Sequence, residues 1–260
     1  MALNLGSSAV SLYLGSQSVN AYLGGTLVTP PAGDPFATLV STKSTGDVYG
    51  TARSTTGYIK AQWWDATTNV YGTGAAGNNI TWGLKAAGGA GSKTIRVYPS
   101  DVNGNLSGSL TALNCDNISL TSLDVSGLTA LTYLSCYYNS LTSLDVSGLT
   151  ALTTLFCTSN PLTSLDVSGL TALTTLFCTN CSLTSLRAQN VGFSGGYYHY
   201  WGVASDAANL SYNQLGAAAL DQFYTDLAAG DSPLLVFDNP GTTGDDPSIA
   251  TAKGYTVYGS

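Results

Sequence analysis

The stretch SLDVSGLTALT occurs at residues 122–132, 143–153 and 164–174 without a single change. Each copy begins 21 residues after the one before it, so the chain carries an internal repeat of that period. One such unit cannot bury its own apolar side chains, whereas stacked units share a continuous core. The repeat therefore predicts a solenoid with an exposed face, and it favours recognition over catalysis.

Leucines mark the inward positions of each predicted coil. The pattern LxxLxCxxNxL occupies residues 131–141 and 152–162, and a second half, LxxLDVSGLxxL, follows each time. Two similar halves predict two short strands per coil, and hence two parallel sheets with no regular helix between them. Asn139 and Asn160 are expected to be buried, with their amides bonded to backbone groups of adjacent coils.

Strand alternation predicts an outward row beside these buried positions. If Leu134 and Cys136 point inward, Tyr133, Ser135 and Tyr137 point outward. Aromatic side chains give rigid contact area at low entropic cost, so the candidate binding face comprises Tyr133, Tyr137, Tyr138, Phe156 and Phe177, with Tyr197, Tyr198, Tyr200 and Trp201 of a glycine-flanked loop. In the alternative interpretation, Phe156 and Phe177 are covered by the C-terminal cap or by a neighbouring subunit.

Four of the five cysteines recur at intervals of 21 residues: Cys115, Cys136, Cys157 and Cys178. They share one inward slot, where a free thiol packs as a small hydrophobe, and parallel Cβ vectors suit a disulfide poorly. Cys181 takes the slot that asparagine fills in earlier coils. The sequence therefore predicts core cysteines rather than a redox or zinc site.

A column of carboxylates is expected on the second side of the solenoid. Asp124, Asp145 and Asp166 stack between coils, roughly 5 Å apart, and Arg187 is next in register, where it should relieve the end of the column. Oxygens of this kind are ligands that Ca²⁺ accepts, so a calcium site is conceivable. No metal site is predicted, because the glycine-rich nonapeptide of calcium-binding β-rolls is absent.

A second, nine-residue repeat opens the chain. Leu5, Leu14 and Leu23 each precede a glycine, and Tyr13 and Tyr22 precede the second and third leucines. Segments this short cannot fold alone. Residues 1–30 are therefore predicted to be an anchoring or oligomerising arm, the alternative being a strand extension folded onto the protein's own next domain.

The remaining segments complete a mainly β fold. Residues 36–103 alternate β-rich runs with turn clusters and predict a small antiparallel β-sandwich of PKD-like or immunoglobulin-like type. The leucine-rich-repeat solenoid follows at 105–191, with two parallel strands per coil. Residues 192–260 predict an α/β cap, with a helix whose apolar residues are Leu220, Phe223, Tyr224 and Leu227, and with Gly230 as the helix stop.

Composition excludes several classes of partner. Only 9% of residues are charged, against roughly 25% in an average soluble domain. Residues 97–252 contain one cation, Arg187, and twelve aspartates. The resulting negative charge repels phosphate and argues against nucleic acid as a partner. No apolar run of membrane-spanning length is present, and the first residues lack the features of a secretory signal.

The sequence offers little for catalysis. His199 is the single histidine, and its neighbours are aromatic and glycine residues without a nucleophile motif or a recognisable carboxylate partner. The aspartate column belongs to a flat face, where no carboxyl pKa would be raised as it is in a cleft. Neither an enzyme activity nor a cofactor is predicted.

The repeats LTYLSCYYNSLTSLDVSGLTA and LTTLFCTSNPLTSLDVSGLTA resemble the short 21-residue bacterial leucine-rich repeats, a class common in surface proteins and in phage structural proteins. The opening LGSSAVSLYLGSQSVNAYLGG resembles amino-terminal segments of small tail-associated virion proteins of tailed phages. The closing DNPGTTGDDPSIATAKGYTV is similar to the cap that follows such repeats in phage proteins.

These resemblances imply a virion component that is assembled in the host cytoplasm. The expected function is a non-enzymatic structural protein, a tail fibre or receptor-binding component that is anchored to other virion proteins through residues 1–30, forms homo-oligomers, and contacts a host surface glycan or protein through the solenoid. A capsid decoration protein or head fibre is the first alternative. A bacterial cell-surface adhesin is the second.

Overall fold

The computed structural model describes residues 108–194 and 208–259 without a break and, before residue 108, the strands named below together with Thr55 and Ala75. The predicted aromatic loop at 197–201, with His199, lies outside the described residues, as do Leu5, Tyr13 and Leu14 of the predicted arm. Their roles stay predictions.

Four short strands lie at the start of the chain. Strand β1 (Ala2–Asn4) pairs antiparallel with β2 (Ala9–Ser11), and β3 (Tyr22–Leu23) pairs antiparallel with β4 (Thr26–Leu27). Two-stranded pairs are marginally stable in water at best. The expectation that residues 1–30 need a partner surface is consistent with this arrangement but is not tested by it.

The next six strands form the predicted small antiparallel unit. They are β5 (Ala37–Ser41), β6 (Asp47–Ser54), β7 (Tyr58–Gln62), β8 (Thr68–Gly72), β9 (Ile80–Ala86) and β10 (Lys93–Ser100). One sheet has the order β5-β10-β7-β8, and β6 pairs with β9 in another. Ile59 and Val97 from the first sheet and Ile80 from the second belong to one buried cluster.

Both of these sheets continue into the solenoid. Strand β11 (Leu110–Asn114) pairs antiparallel with β6, and β12 (Leu120–Asp124) pairs antiparallel with β5. The hydrophobic core is also continuous across this junction. The sandwich therefore closes the N-terminal end of the solenoid. The boundary predicted near residue 104 separates antiparallel from parallel strand pairing, but the two parts share one core.

A parallel sheet runs along the solenoid. Seven described strands form it in this order: β11, β13 (Tyr133–Ser135), β14 (Thr154–Phe156), β16 (Thr175–Phe177), β18 (Ala208–Asn209), β19 (Pro233–Leu235) and β20 (Thr256–Tyr258). On the second side, β15 (Ser164–Asp166) pairs parallel with β17 (Ser185–Arg187). The leucine-rich-repeat solenoid predicted from the sequence is confirmed.

The identical SLDVSGLTALT stretches share one turn, which ends the second half of each coil. The Asp145 carboxylate accepts the Ser147 backbone N–H at 2.9 Å, and Gly148 has φ +81°. That backbone region favours glycine. The turn returns the chain to the core, where Leu144, Val146 and Leu149 are all buried.

Buried asparagines tie successive coils together, as the sequence predicts. Asn139 accepts the backbone N–H groups of Ile118 and Leu120 and donates to the carbonyls of Cys115 and Cys136, each at 2.9–3.1 Å. Asn160 and Asn213 repeat this pattern. Each amide thus satisfies groups that would otherwise be buried without a partner.

All five cysteines are free and buried, which confirms their assignment to the core. Burial raises the pKa of the Cys115, Cys136 and Cys178 thiols, which keeps them protonated. Cys181 stands in the asparagine slot, and its thiol donates to the Cys157 carbonyl at 3.4 Å.

Two helices build the cap. Helix α1 (Ala217–Asp226) packs beside β17, and α2 (Ser248–Thr251) precedes β20. Leu220, Phe223, Tyr224 and Leu227 are buried as predicted. The assignment of Gly230 as the helix stop was wrong, because α1 ends at Asp226; a Cβ on Gly230 would lie 2.2 Å from the Tyr255 hydroxyl oxygen, so close packing requires this glycine.

The cap also contains a coil that the sequence pattern did not reveal. Asn239 accepts the backbone N–H of Leu215 at 3.1 Å and donates to the carbonyls of Leu210 and Val236. This is the hydrogen-bonding pattern of Asn139. The segment LLVFDNP at 234–240 is therefore a divergent copy of LFCTSNP at 155–161.

Candidate functional site

The outer face of the parallel sheet carries a row of aromatic rings. The Tyr133 and Phe156 ring centroids are 5.8 Å apart in an edge-on arrangement, and those of Phe156 and Phe177 are 5.1 Å apart. Such pairs stabilise one another beyond the area they bury. Three successive coils thus present a continuous aromatic stripe, in which each ring is partly exposed.

Three polar side chains on the same side of the sheet as this stripe are buried, although strand alternation predicts that they point outward. Ser135, Thr154 and Thr175 lie on the outer side of the sheet, yet all three are buried. Tyr133 is in register with Thr154, but its ring contacts that of Phe156, so the rings lean across the neighbouring positions. Strand alternation predicted the correct side of the sheet for these three side chains, and the packing of the aromatic rings determines how exposed they are.

Tyr137 and Tyr138 form the most exposed part of the face. They are 39% and 60% exposed, and their rings meet edge to face with centroids 5.2 Å apart. Tyr138 has φ +54°, a left-handed conformation that Asn117, Ser159 and Asn180 share in the adjacent coils. The tight bend of each coil before the asparagine slot thus projects the two tyrosines outward.

Asp116 anchors the strand ends beside these tyrosines. One carboxylate oxygen accepts the Ser135 hydroxyl at 2.6 Å and the Tyr137 backbone N–H at 3.0 Å, and the other accepts the Asn114 side-chain amide at 2.6 Å. Burial raises the pKa of Asp116 in spite of these hydrogen bonds. No sequence motif marked this residue, because the equivalent positions of later coils are Tyr137 and Thr158.

A pocket adjoins the aromatic stripe at the junction with the N-terminal sheet. Its volume is about 210 Å³, and it is lined by Thr51, Ala52, Arg53, Ala112, Asn114 and Tyr133. The register of β11 on β6 shifts between Leu110 and Ala112, so the ladder is irregular beside the pocket. Sequence reasoning missed this site because it depends on the pairing of two strands that are distant in the chain.

A second aromatic cluster lies at the C-terminal end. Tyr212 is 60% exposed, Phe237 43% and Tyr258 48%. Tyr212 occupies the position of Tyr138 in its coil, and Phe237 occupies that of Tyr137. The sequence signal was present in the shared asparagines Asn213 and Asn239, but the longer spacing between the cap coils concealed it.

The aspartate side of the solenoid has the predicted register but adds contacts that the sequence did not predict. Asp124, Asp145 and Asp166 are exposed, and each accepts a backbone N–H two residues later, so their role is to shape turns. Arg187 lies in register with Asp166, but its guanidinium forms two hydrogen bonds with Asp226 of α1. Its main role is therefore to attach the cap.

A shallow groove of about 370 Å³ runs beside Asp145 and Asp166 and is lined mainly by serines. Over the described ranges, no three His, Cys or acidic side chains converge in a way that could hold a metal ion. Nor does any described helix have the length and apolar character to cross a membrane. The absence of enzymatic activity stays a prediction, since His199 lies outside the described residues.

The fold is thus a leucine-rich-repeat solenoid with an aromatic outer face. No family model and no curated protein matches the sequence. Among solved structures, the chain is similar to the functional domain of InlJ from Listeria monocytogenes, described as including a cysteine ladder, with 22% identity over 59% of this chain and a TM-score of 0.28. The match spans 51% of the InlJ domain.

Proposed function

We propose that this chain is a non-enzymatic virion structural protein that binds a host surface glycan or protein through its solenoid, as a tail fibre or receptor-binding component. The observation that supports it most is the outer face of Tyr133, Tyr137, Tyr138, Phe156 and Phe177, where five aromatic side chains of successive coils share one surface. No described charged side chain interrupts the stripe from Tyr133 to Phe177.

The rigidity of this face favours binding. The rings are carried by strands whose backbone is fixed on both edges by neighbouring coils, and the stripe residues also contact one another. The binding of a partner therefore costs this face little conformational entropy. The apolar C–H faces of sugar rings pack well against such side chains, which suits a surface polysaccharide.

The N-terminal segment supports the virion assignment through its resemblance to tail-associated proteins and through its short, isolated strand pairs. Residues 1–30 would join the chain to other virion proteins. Deleting them should leave the solenoid folded, with an unchanged melting temperature, and should abolish incorporation into particles. Retained incorporation would contradict the anchoring role.

Binding by the outer face is tested with purified protein on an array of bacterial surface polysaccharides. The double variant Tyr137→Ala/Tyr138→Ala removes the two most exposed rings and should weaken binding by about tenfold or more, as the loss of central aromatic contacts does. Ser143→Ala/Ser164→Ala on the aspartate side is the matched control and should bind as the parent does. Equal loss in both variants, or in neither, would contradict the assignment of the face.

Localisation separates the proposed role from its alternatives. Antibody labelling of phage particles should mark the tail tip if the chain is a receptor-binding component. Labelling of the capsid lattice would favour a decoration protein, and labelling of the bacterial surface without any particle would favour a cell-surface adhesin.

A further inference from the structure

The junction pocket lies where the sandwich meets the first coil, and it combines three kinds of chemistry. Arg53 supplies a guanidinium, Thr51 and Asn114 supply a hydroxyl and an amide, and Tyr133 supplies a ring. Tyr133 is also the first ring of the aromatic stripe. A ligand that lies along the stripe therefore reaches the pocket without a change of direction.

The size of the pocket limits what it can hold. Its volume of about 210 Å³ is below the roughly 300–1,000 Å³ of sites that enclose drug-sized ligands. It suits a single sugar unit, with the rest of an oligosaccharide extending over Phe156 and Phe177. Ala112 leaves room in the pocket, because its side chain ends at Cβ.

The charge of the pocket indicates the kind of sugar. Arg53 is an exposed cation on the outer face, whereas the column of Asp124, Asp145 and Asp166 lies on the other side of the solenoid. At physiological ionic strength, charges more than about 8 Å apart through solvent are largely screened. The column therefore adds little to the field in the pocket, where Arg53 is the one charged residue of the lining.

Asp116 follows the pocket residue Asn114 by two positions, and its carboxylate is already engaged. It accepts hydrogen bonds from Asn114 and from Ser135 and Tyr137 of the next coil, so its oxygens are turned toward these groups. The Arg53 guanidinium has five N–H donors in a planar fork. Two of them can bind a carboxylate in parallel while the others keep contacts within the protein.

We propose that the junction pocket binds a carboxylate-bearing sugar unit of a surface polysaccharide, with Arg53 paired to the carboxylate and Tyr133 packed against the sugar ring. This assignment rests on the proposed function, because it names the ligand class of the same face. The pocket selects an acidic terminal or branching sugar, and the aromatic stripe holds the neutral units that follow.

The test uses the polysaccharide array with each glycan in two forms, native and with its carboxyl groups reduced to alcohols. The parent protein should bind acidic glycans about tenfold more tightly than their reduced forms, since a charge-assisted bidentate pair is lost on reduction. Arg53→Gln should abolish that difference, because it should weaken the binding of native glycans far more than that of the reduced ones, and circular dichroism checks that the variant is folded. Arg53→Lys should retain part of this difference, because lysine keeps the positive charge but lacks the planar guanidinium that pairs with both carboxylate oxygens.

Lys60→Gln is the matched control. It removes one positive charge from the other sheet of the sandwich, and it should leave the preference for acidic glycans intact. If Arg53→Gln keeps the preference, or if the parent binds native and reduced glycans equally, the pocket assignment is overturned and the binding face is not. If the parent binds no glycan in either form, glycan recognition by this face fails, and the pocket assignment fails with it.

Discussion

At the residue scale, the solenoid depends on asparagine side chains that each bond to the backbone of two successive coils. Asn139, Asn160, Asn213 and Asn239 each accept at least one backbone N–H of the preceding coil and donate to carbonyls of their own coil and of that preceding one. The N–H groups and carbonyls concerned are buried, so each would destabilise the fold by about 1–3 kcal/mol if it were left unpaired.

Cys181 interrupts this ladder, and the consequence is visible in the backbone. Leu162 occupies the position whose N–H meets an asparagine in other coils, but here it bonds to the Asn160 carbonyl within its own coil at 2.8 Å. The thiol gives only long bonds, to the Cys157 carbonyl at 3.4 Å and to the Thr179 carbonyl at 3.7 Å. Sulfur is a weak donor, and it cannot reproduce the two-sided bonding of an amide.

We therefore expect Cys181→Asn to stabilise the protein. The amide would bond to the Cys157 and Cys178 carbonyls and would accept the Leu162 N–H, a gain of about 1 kcal/mol, or about 2–4 °C in Tm for a chain of this size. Thermal unfolding followed by circular dichroism checks this. The reverse change at an intact site, Asn160→Cys, should lower Tm, and an equal fall in both variants would contradict the ladder account.

Residue types and spacing predicted this ladder and the cysteine core, since both recur with the period of the repeat. They did not predict Asp116 or the burial of Thr154 and Thr175. Those outcomes depend on which ring leans over which neighbour, and a single chain gives no pattern for that. The partner of Arg187 was missed for a similar reason, because Asp226 arrives from a helix 39 residues later.

At the element scale, identical coils should be interchangeable. Residues 143–163 form one period, and their removal joins Thr142 to a second copy of the same SLDVSGLTALT stretch. Each coil contacts only its neighbours, so stability is close to a sum of coil and interface contributions.

The deletion of 143–163 should therefore give a folded and cooperative protein with a Tm that is lower by about 2–4 °C for each kcal/mol of interface lost. Deleting residues 143–153 alone removes half a coil, so that two first halves follow one another and the next strand falls on the wrong side of the solenoid, and that variant should fail to fold. Circular dichroism and size-exclusion chromatography distinguish the outcomes. Two folded variants, or two unfolded ones, would contradict the coil register.

We expect the attachment of the cap to depend on pH. Burial opposes ionisation of Asp226, but hydrogen bonds from Arg187, Gln222 and the Ala188 backbone outweigh it and hold the pKa of Asp226 below its usual value. A carboxyl group whose pKa falls on folding stabilises the native state above its unfolded pKa, near 3.9, and loses that contribution as the pH falls through the native pKa.

Asp226→Asn should accordingly lower Tm at pH 7, and the difference from the parent should shrink as the pH falls below about 4. Asp238→Asn, on an exposed turn, is the control and should have little effect at pH 7. Differential scanning calorimetry across this pH range measures both. A deficit of Asp226→Asn that stays constant or grows in acid would show that the carboxylate is not what attaches the cap.

At the scale of the whole molecule, one hydrophobic core runs from the sandwich through the coils to the cap. The repeats predicted the middle of this arrangement with the correct register. They gave no information on the junction, because β5 and β6 pair with β12 and β11 across non-repeated sequence. The cap coil at Asn239 was hidden because helix α1 lengthens the spacing between asparagines.

The continuity of the core has a consequence for binding. The outer face is a single sheet surface from Arg53 through Phe177, and the C-terminal cluster of Tyr212, Phe237 and Tyr258 lies beyond it. A long polysaccharide can contact several coils at once, and each contact after the first is intramolecular. Weak stacking on single rings can in this way add up to useful avidity.

The most direct measurement is backbone-amide NMR mapping of the protein with an oligosaccharide fragment of the polysaccharide that it binds. The account predicts shift changes at residues 133–138, at Phe156 and at Phe177, with the turn amides of Ser147 and Ser168 unchanged. Shift changes confined to those aspartate-side turns, or the absence of any bound glycan, would contradict recognition by the outer face.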